Sequence, residues 1–149
     1  MKFLCIDYGK RRIGIAVSDP CAILARTKTT IDRKTINDYL SEVVLLIKEE
    51  NPDELVVGIP LDVDDNESEF CKEIRFFCDE LKNILPKKIP INFQDESFSS
   101  VKSNLILRKT GTRKKRMQKG KIDCIAACVI LQEFLDNRSS LLCRTVLED

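Results

Sequence analysis

Hydrophobic and polar positions change their rhythm several times along the chain. The apolar run Lys2–Phe3–Leu4–Cys5–Ile6 and a second run from Ile13 to Val17 flank the turn-rich Tyr8–Gly9–Lys10–Arg11–Arg12, which predicts a β-hairpin. Ile23–Thr30 predicts a third, antiparallel edge strand. Asp32 reads as the N-cap of a helix reaching about Glu50, with Ile36, Leu40, Val43, Val44 and Ile47 at helical spacing and Asn51–Pro52 as its stop. Leu55–Val56–Val57–Gly58–Ile59 is continuously apolar, the pattern of a central strand covered on both faces in a parallel arrangement. A second helix is expected from about Glu67 to Leu85, burying Phe70, Ile74, Phe77 and Leu81. Pro86 and Pro90 bracket the passage to a short strand, Ile91 to Gln94. A helix from about Ser99 to Arg108, a basic loop from Thr110 to Gly120 and a last helix from about Ile122 to Leu135 complete the pattern.

The element order is β-β-β-α-β-α-β-α-α, with no internal repeat. Three meandering strands followed by alternating helix and strand imply an α/β domain spanning 1–149. Its five-stranded mixed sheet, three antiparallel strands then parallel ones, carries helices on both faces. Right-handed crossovers put the fourth strand beside the first, and ligands gather at strand ends where the strand order switches.

Composition narrows the functional classes. With 149 residues, 43% of them hydrophobic and 33% charged, the chain can build a core and is neither disordered nor membrane-resident in character. No apolar run reaches the roughly 18 residues of a spanning helix. The start lacks a signal-peptide layout, so the expectation is a cytoplasmic protein. Seven cysteines form no disulfide framework: the number is odd, Cys124 and Cys128 are four apart, and no Cys-x-x-Cys occurs. There is no histidine, which excludes Ser-His-Asp and Cys-His catalysis. A hydrolase built from this chain activates water with carboxylates, lysine or a metal.

Charge is nearly balanced at +1 overall but unevenly spread. Eight bases and no acid lie between Arg108 and Lys121, whereas Asp62 to Glu69 holds five acids and no base. Acids also fall at the ends of expected elements: Asp7 after the first strand, Asp95 and Glu96 after the fifth, Asp123 at the start of the last helix. Singly these fit ordinary roles, a turn aspartate, a helix cap and a first-turn acid. Asp123, however, shares a helical face with Ala126, Ala127, Ile130, Leu131 and Phe134, where a carboxylate needs a positive partner. Converging carboxylates suit Mg²⁺ or Mn²⁺, and two such ions about 4 Å apart can drive phosphodiester hydrolysis without histidine. The basic segment would meet a nucleic-acid backbone through phosphate contacts.

The blocks Ile6–Asp7–Tyr8–Gly9, Arg12–Ile13–Gly14–Ile15–Ala16–Val17–Ser18–Asp19, Val56–Val57–Gly58–Ile59–Pro60–Leu61, Asp95–Glu96 and Lys121–Ile122–Asp123 with Ala126–Ala127 and Ile130–Leu131–Gln132 occur in that order. Together they resemble the YqgF/RuvX family, whose members are described as Holliday-junction resolvases and as pre-16S ribosomal RNA nucleases. The resemblance implies a ribonuclease-H-like three-layer fold and divalent-metal nuclease chemistry. It carries the family's acids to Asp7, to Glu96 with Asp95 beside it, and to Asp123, and its basic stretch to Thr110–Lys119. Two departures stand out: Ser97 where the family commonly has arginine, and Asp62 and Asp65 where it has Asn and Gly. They predict altered substrate contacts with the chemistry retained.

The leading expectation is an endonuclease with Asp7, Glu96 and Asp123 as catalytic residues. Asp7, Asp95, Glu96 and Asp123 are candidate ligands for Mg²⁺ or Mn²⁺. Lys10, Arg11, Arg12, Arg113, Lys114, Lys115 and Arg116 are candidate phosphate contacts. The expected partner is structured RNA such as precursor rRNA, or branched DNA, engaged by a monomer or a homodimer. Two alternatives use the same residues: a module of this fold that binds nucleic acid without cutting it, and a nucleotide phosphotransferase. The second requires another lobe, for which the chain is short.

Overall fold

Strand β1 (Phe3–Tyr8) lies at the centre of one sheet, and the chain wraps around it. A computed structural model describes residues 1–60, 69–95 and 125–138. They form β1, β2 (Arg12–Ser18), β3 (Ala25–Asp32), α1 (Tyr39–Glu50), β4 (Glu54–Ile59), α2 (Glu69–Ile84), β5 (Ile91–Asp95) and a helix α3 over 125–138. The sheet order is β3-β2-β1-β4-β5. β1 pairs antiparallel with β2 and β2 with β3, while β4 runs parallel to both β1 and β5. The expected mixed sheet, with the fourth strand beside the first, is the one observed. The anticipated helix from Ser99 to Arg108 and the basic loop after it lie outside the described residues.

Strand periodicity divides the interior in two. Leu4, Ile6 and Tyr8 of β1, Ile13, Ile15 and Val17 of β2, and Leu55, Val57 and Ile59 of β4 point one way. They meet Val43, Val44 and Ile47 of α1 and Ile74, Phe77 and Leu81 of α2. Phe3, Cys5, Ala16 and Val56 point the other way and pack under Ala127, Ile130, Leu131 and Leu135 of α3. Helices therefore cover both faces. Ala127 is fully buried, and its small side chain lets α3 lie close on the sheet. None of the five described cysteines is disulfide-bonded, and Cys5, Cys71 and Cys78 are core residues.

Several boundaries moved for identifiable reasons. Asp32 does not cap α1. It ends β3, and its carboxylate accepts the Lys34 N–H while its carbonyl accepts the Ile36 N–H, closing a turn. The cap is Asp38, whose carboxylate accepts both the N–H and the hydroxyl of Ser41, and these bonds hold its pKa below the ordinary value. The third strand starts at Ala25 because Ile23 and Leu24 form a turn whose N–H groups both donate to the Asp19 carboxylate. β1 runs two residues further than expected and β5 one, so Asp7 and Asp95 stand within their strands.

Outside the apolar interior, the base of the fold is tied by Glu50, whose side chain is 8% exposed. It accepts from Lys2 Nζ at 2.6 Å and from Lys28 Nζ at 2.8 Å, joining the end of α1 to the residue before β1 and to the middle of β3. Those two bonds lower its pKa from 4.5 to about 2. A depressed carboxylate stabilises the fold at pH values above its unfolded pKa and loses that contribution as pH falls through its folded one. Glu50→Gln is expected to lower unfolding free energy by about 2 kcal/mol at neutral pH. Urea titrations across the acid range should show that difference shrinking from about pH 4.5 towards pH 2.

Candidate active site

The face beneath α3 carries the carboxylate of Asp7. Phe3 and Cys5 share that face, and two residues per period put Asp7 on it as well. Asp7 is half-buried. Its antiparallel neighbour on β2 is Gly14. On β4 the last registered partner in parallel is Val57 opposite Ile6, so the next position is Gly58, which is itself paired with Gln94 of β5. The row across the sheet reads Gly14, Asp7, Gly58, Gln94. The carboxylate thus stands between two buried glycine positions, with Gln94 beyond Gly58 in the same row.

The first described residues of helix α3 lie towards this end of the sheet. Phe134 lies edge-on to Phe3 with centroids 5.3 Å apart, and Arg138 stacks over Phe3 at 5.3 Å. Gln132 accepts the Ala25 N–H and donates to the Ile23 carbonyl, both at 2.9 Å. The C-terminal half of α3 is thereby fixed over the beginning of β1. Asp7 lies four residues further along β1, about 13 Å. Residue 125 lies nine residues back along α3, about 13 Å. The first described turn of α3 therefore lies towards the Asp7 end of β1. Asp123 precedes that turn by two positions and lies outside the described residues, as do Glu96 and Arg113, Lys114, Lys115 and Arg116.

Asp95 is separated from Asp7. It is paired with Ile59 and shares its side of β5 with Ile91 and Phe93, the side covered by α1 and α2, where Arg75 of α2 stacks on Phe93 at 4.8 Å. Asp7 faces α3. The two carboxylates project from opposite faces, two strands apart, which for strands spaced about 4.8 Å is close to 10 Å between backbones. Among the described residues no three His, Cys, Asp or Glu side chains form a cation-binding group. The donor that is described, one half-buried carboxylate flanked by glycines, is a hard oxygen ligand of the kind Mg²⁺ or Mn²⁺ prefers.

The three bases after Asp7 divide between the faces. Arg12 has the parity of Gly14 and Ala16, so it lies on the Asp7 side. Lys10 leans the other way, with Nζ 5.6 Å from the centre of the Phe70 ring on α2. Arg11 is exposed at the turn. The turn itself needs Gly9: its N–H donates to the Arg12 carbonyl at 2.9 Å, and a Cβ there would stand 2.4 Å from the same oxygen. Sequence reading passed over Gln94, Gly58 and Arg33, which reaches the Gly9 carbonyl from the opposite face. Counting parity from Ile91 gives the orientation of Gln94, but its alignment with Asp7 requires the parallel register.

This architecture is that of ribonuclease-H-like junction resolvases. A Thermus thermophilus RuvC solved with a Holliday junction substrate matches at TM-score 0.51 and 14% identity, over 93% of this chain and 96% of that one. A fowlpox virus resolvase solved with Holliday junction DNA matches at TM-score 0.57 and 14% identity, over 92% and 98%. At the level of sequence the chain belongs to the RuvX family, described as Holliday junction resolvase, whose model matches residues 1–137. Relatives that carry the provisional name pre-16S rRNA nuclease include one from Bacteroides fragilis, 35% identical over 92% of this chain and 97% of its own length. Another, from Lawsonia intracellularis, is 38% identical over 94% and 96%.

Gly9→Ala should weaken the hairpin by about 1–3 kcal/mol, because the added methyl must push away a backbone carbonyl. Thermal unfolding of the variant beside the parent protein would display the difference as a fall in Tm.

Proposed function

We propose that this chain is a metal-dependent endonuclease of structured nucleic acid, with the 5′ region of precursor 16S rRNA as its substrate. The observation that carries the reading is the Asp7 carboxylate, set between glycines on the face beneath α3. The relatives named for precursor-rRNA cleavage, similar over nearly their whole lengths, support the choice of RNA. The family description and the resolvases with shared fold favour a second reading, cleavage of four-way DNA junctions. A single domain over residues 1–149 would carry either activity. A precursor-rRNA substrate implies cytoplasmic work, and among the described residues no helix is long and apolar enough to cross a membrane.

Asp7, Glu96 and Asp123 would hold Mg²⁺ or Mn²⁺. Asp95 is set aside as a ligand because it occupies the other face. When bound, the cations would supply activation of water and neutralisation of charge on the leaving oxygen. The chain's own part is to present carboxylates that no histidine assists, and to hold the substrate's phosphates. Arg12, on the Asp7 face, would contact the phosphate nearest the cut. Lys10 and Arg11 at the turn, with Arg113, Lys114, Lys115 and Arg116, would grip the backbone further out. Such contacts read charge and shape, so the choice of cleavage position comes from the fold of the substrate.

Cleavage of 5′-extended 16S RNA and of a four-way DNA junction, each with Mn²⁺, tests the proposal. Loss of an outer-shell partner costs metal sites about 10–100-fold, so loss of a ligand in Asp7→Asn or Glu96→Gln should cost about 100-fold or more. Asp95→Asn should stay within about threefold of the parent, a change under 1 kcal/mol in barrier height. Retained cutting by Asp7→Asn would sink the site, and binding without cutting by the parent protein would support the non-catalytic module. Preference for the junction over the RNA would select the second reading.

A further inference from the structure

Behind the sheet, opposite the face of Asp7, the two residues that follow it are gripped by one arginine. Arg33 lies just past β3 with a side chain 18% exposed. Its Nη1 donates to the Gly9 carbonyl at 2.8 Å. Its guanidinium carbon lies 4.9 Å from the Tyr8 ring centre and 4.7 Å from that of Tyr39. Its backbone N–H donates to the Arg11 carbonyl at 2.8 Å, so one residue holds both limbs of the turn. Glu73 of α2 completes the set: it accepts from the Tyr8 hydroxyl at 2.9 Å and sits 3.6 Å from Arg33 Nη2. Burial, and then the phenol's hydrogen bonds, raise the Tyr8 pKa above its ordinary value, so the hydroxyl stays a donor at physiological pH.

We infer that Arg33 is a positioning residue for Asp7, setting the carboxylate's place from the back of the sheet. The inference rests on the reading of Asp7 as a metal ligand. Arg33 faces inward rather than towards substrate: its charge is paired with Glu73 at 3.6 Å, Nη1 donates to Gly9 and Nη2 to Tyr39, the last at 3.5 Å. What it controls is the end of β1. The Asp7 side chain projects towards α3, while its backbone is continuous with Tyr8 and Gly9, both held on the α1/α2 side. The ladder to β2 fixes Asp7 along the strand, but the open hairpin end could still twist. A planar guanidinium packed against two rings and bonded to the turn resists that twist, and lysine, with its single flexible ammonium, does so less well. Ligand geometry in metal and catalytic sites is sensitive to displacements well under 1 Å.

Arg33→Met and Arg33→Lys, each compared with Asp7→Asn, test the inference. Three readouts apply: steady-state cleavage of 5′-extended 16S RNA, Mn²⁺ affinity by calorimetry, and amide hydrogen exchange. Arg33→Met is expected to lower kcat about tenfold or more and weaken Mn²⁺ binding about tenfold, with the KM for RNA within about twofold. Exchange should accelerate at Gly9 and Arg11 and not in β4, and Arg33→Lys should recover part of each loss. A loss of activity matched by a loss of folded protein, with Mn²⁺ affinity unchanged, would overturn the inference, as would wild-type behaviour of Arg33→Met where Asp7→Asn is inactive. If Asp7→Asn still cuts and still binds Mn²⁺, the site reading fails instead, and the exchange data alone report whether the clamp exists.

Discussion

β1 must satisfy two cores at once, and the remaining architecture follows from that requirement. Leu4, Ile6 and Tyr8 belong to the interior under α1 and α2; Phe3 and Cys5 belong to the interior under α3. A slip of one residue in its pairing would exchange the two sets and drive the Asp7 carboxylate into the aromatic cluster of Tyr8, Phe70 and Phe77. The register is thus enforced from both sides, more firmly than in a sheet with one wet face. It is this enforcement that gives a charged residue a fixed place at the end of an otherwise apolar strand.

The hairpin that carries Asp7 has, in consequence, a working side and a holding side. On the working side are Asp7, the glycine positions, Arg12 and the first described turn of α3. On the holding side are aromatic rings, Arg33 and Glu73. Cations appear on both sides in different capacities. Arg33 is consumed in internal contacts and contributes order, whereas Arg12 and Arg11 retain charge for an outside partner. Had all four basic residues near the turn faced one way, their mutual repulsion would have opposed closure of the hairpin.

Much of the fold was legible because it is written in periodicity. The alternation of β1 and β2, the continuous run of β4 and the helical stripes of α1 and α2 each have one economical solution, and the observed sheet is that solution. Local competition was less legible. Asp32 and Asp38 are both good caps, and only the turn made by Asp32 with Lys34 and Ile36 decides for Asp38. The acid pair after the fifth strand shows a different limit. Composition treats Asp95 and its neighbour alike, while the pairing of Asp95 with Ile59 assigns it a side. Contacts between segments distant in sequence, such as Arg33 with Gly9 or Gln132 with Ala25, leave no periodic trace, since each rests on a single side chain.

The placement of α3 bears on how the molecule comes into being. All five described strands precede it in the chain, so a nascent polypeptide can assemble this sheet and cover one side with α1 and α2 before α3 leaves the ribosome. Until then Phe3, Cys5, Ala16 and Val56 have no lid, and the Asp7 side of the sheet is wet. The same segment that dries this surface also completes the surroundings of the carboxylate. Folding and competence therefore finish together, and an unfinished chain is left with an apolar surface that invites aggregation or a chaperone.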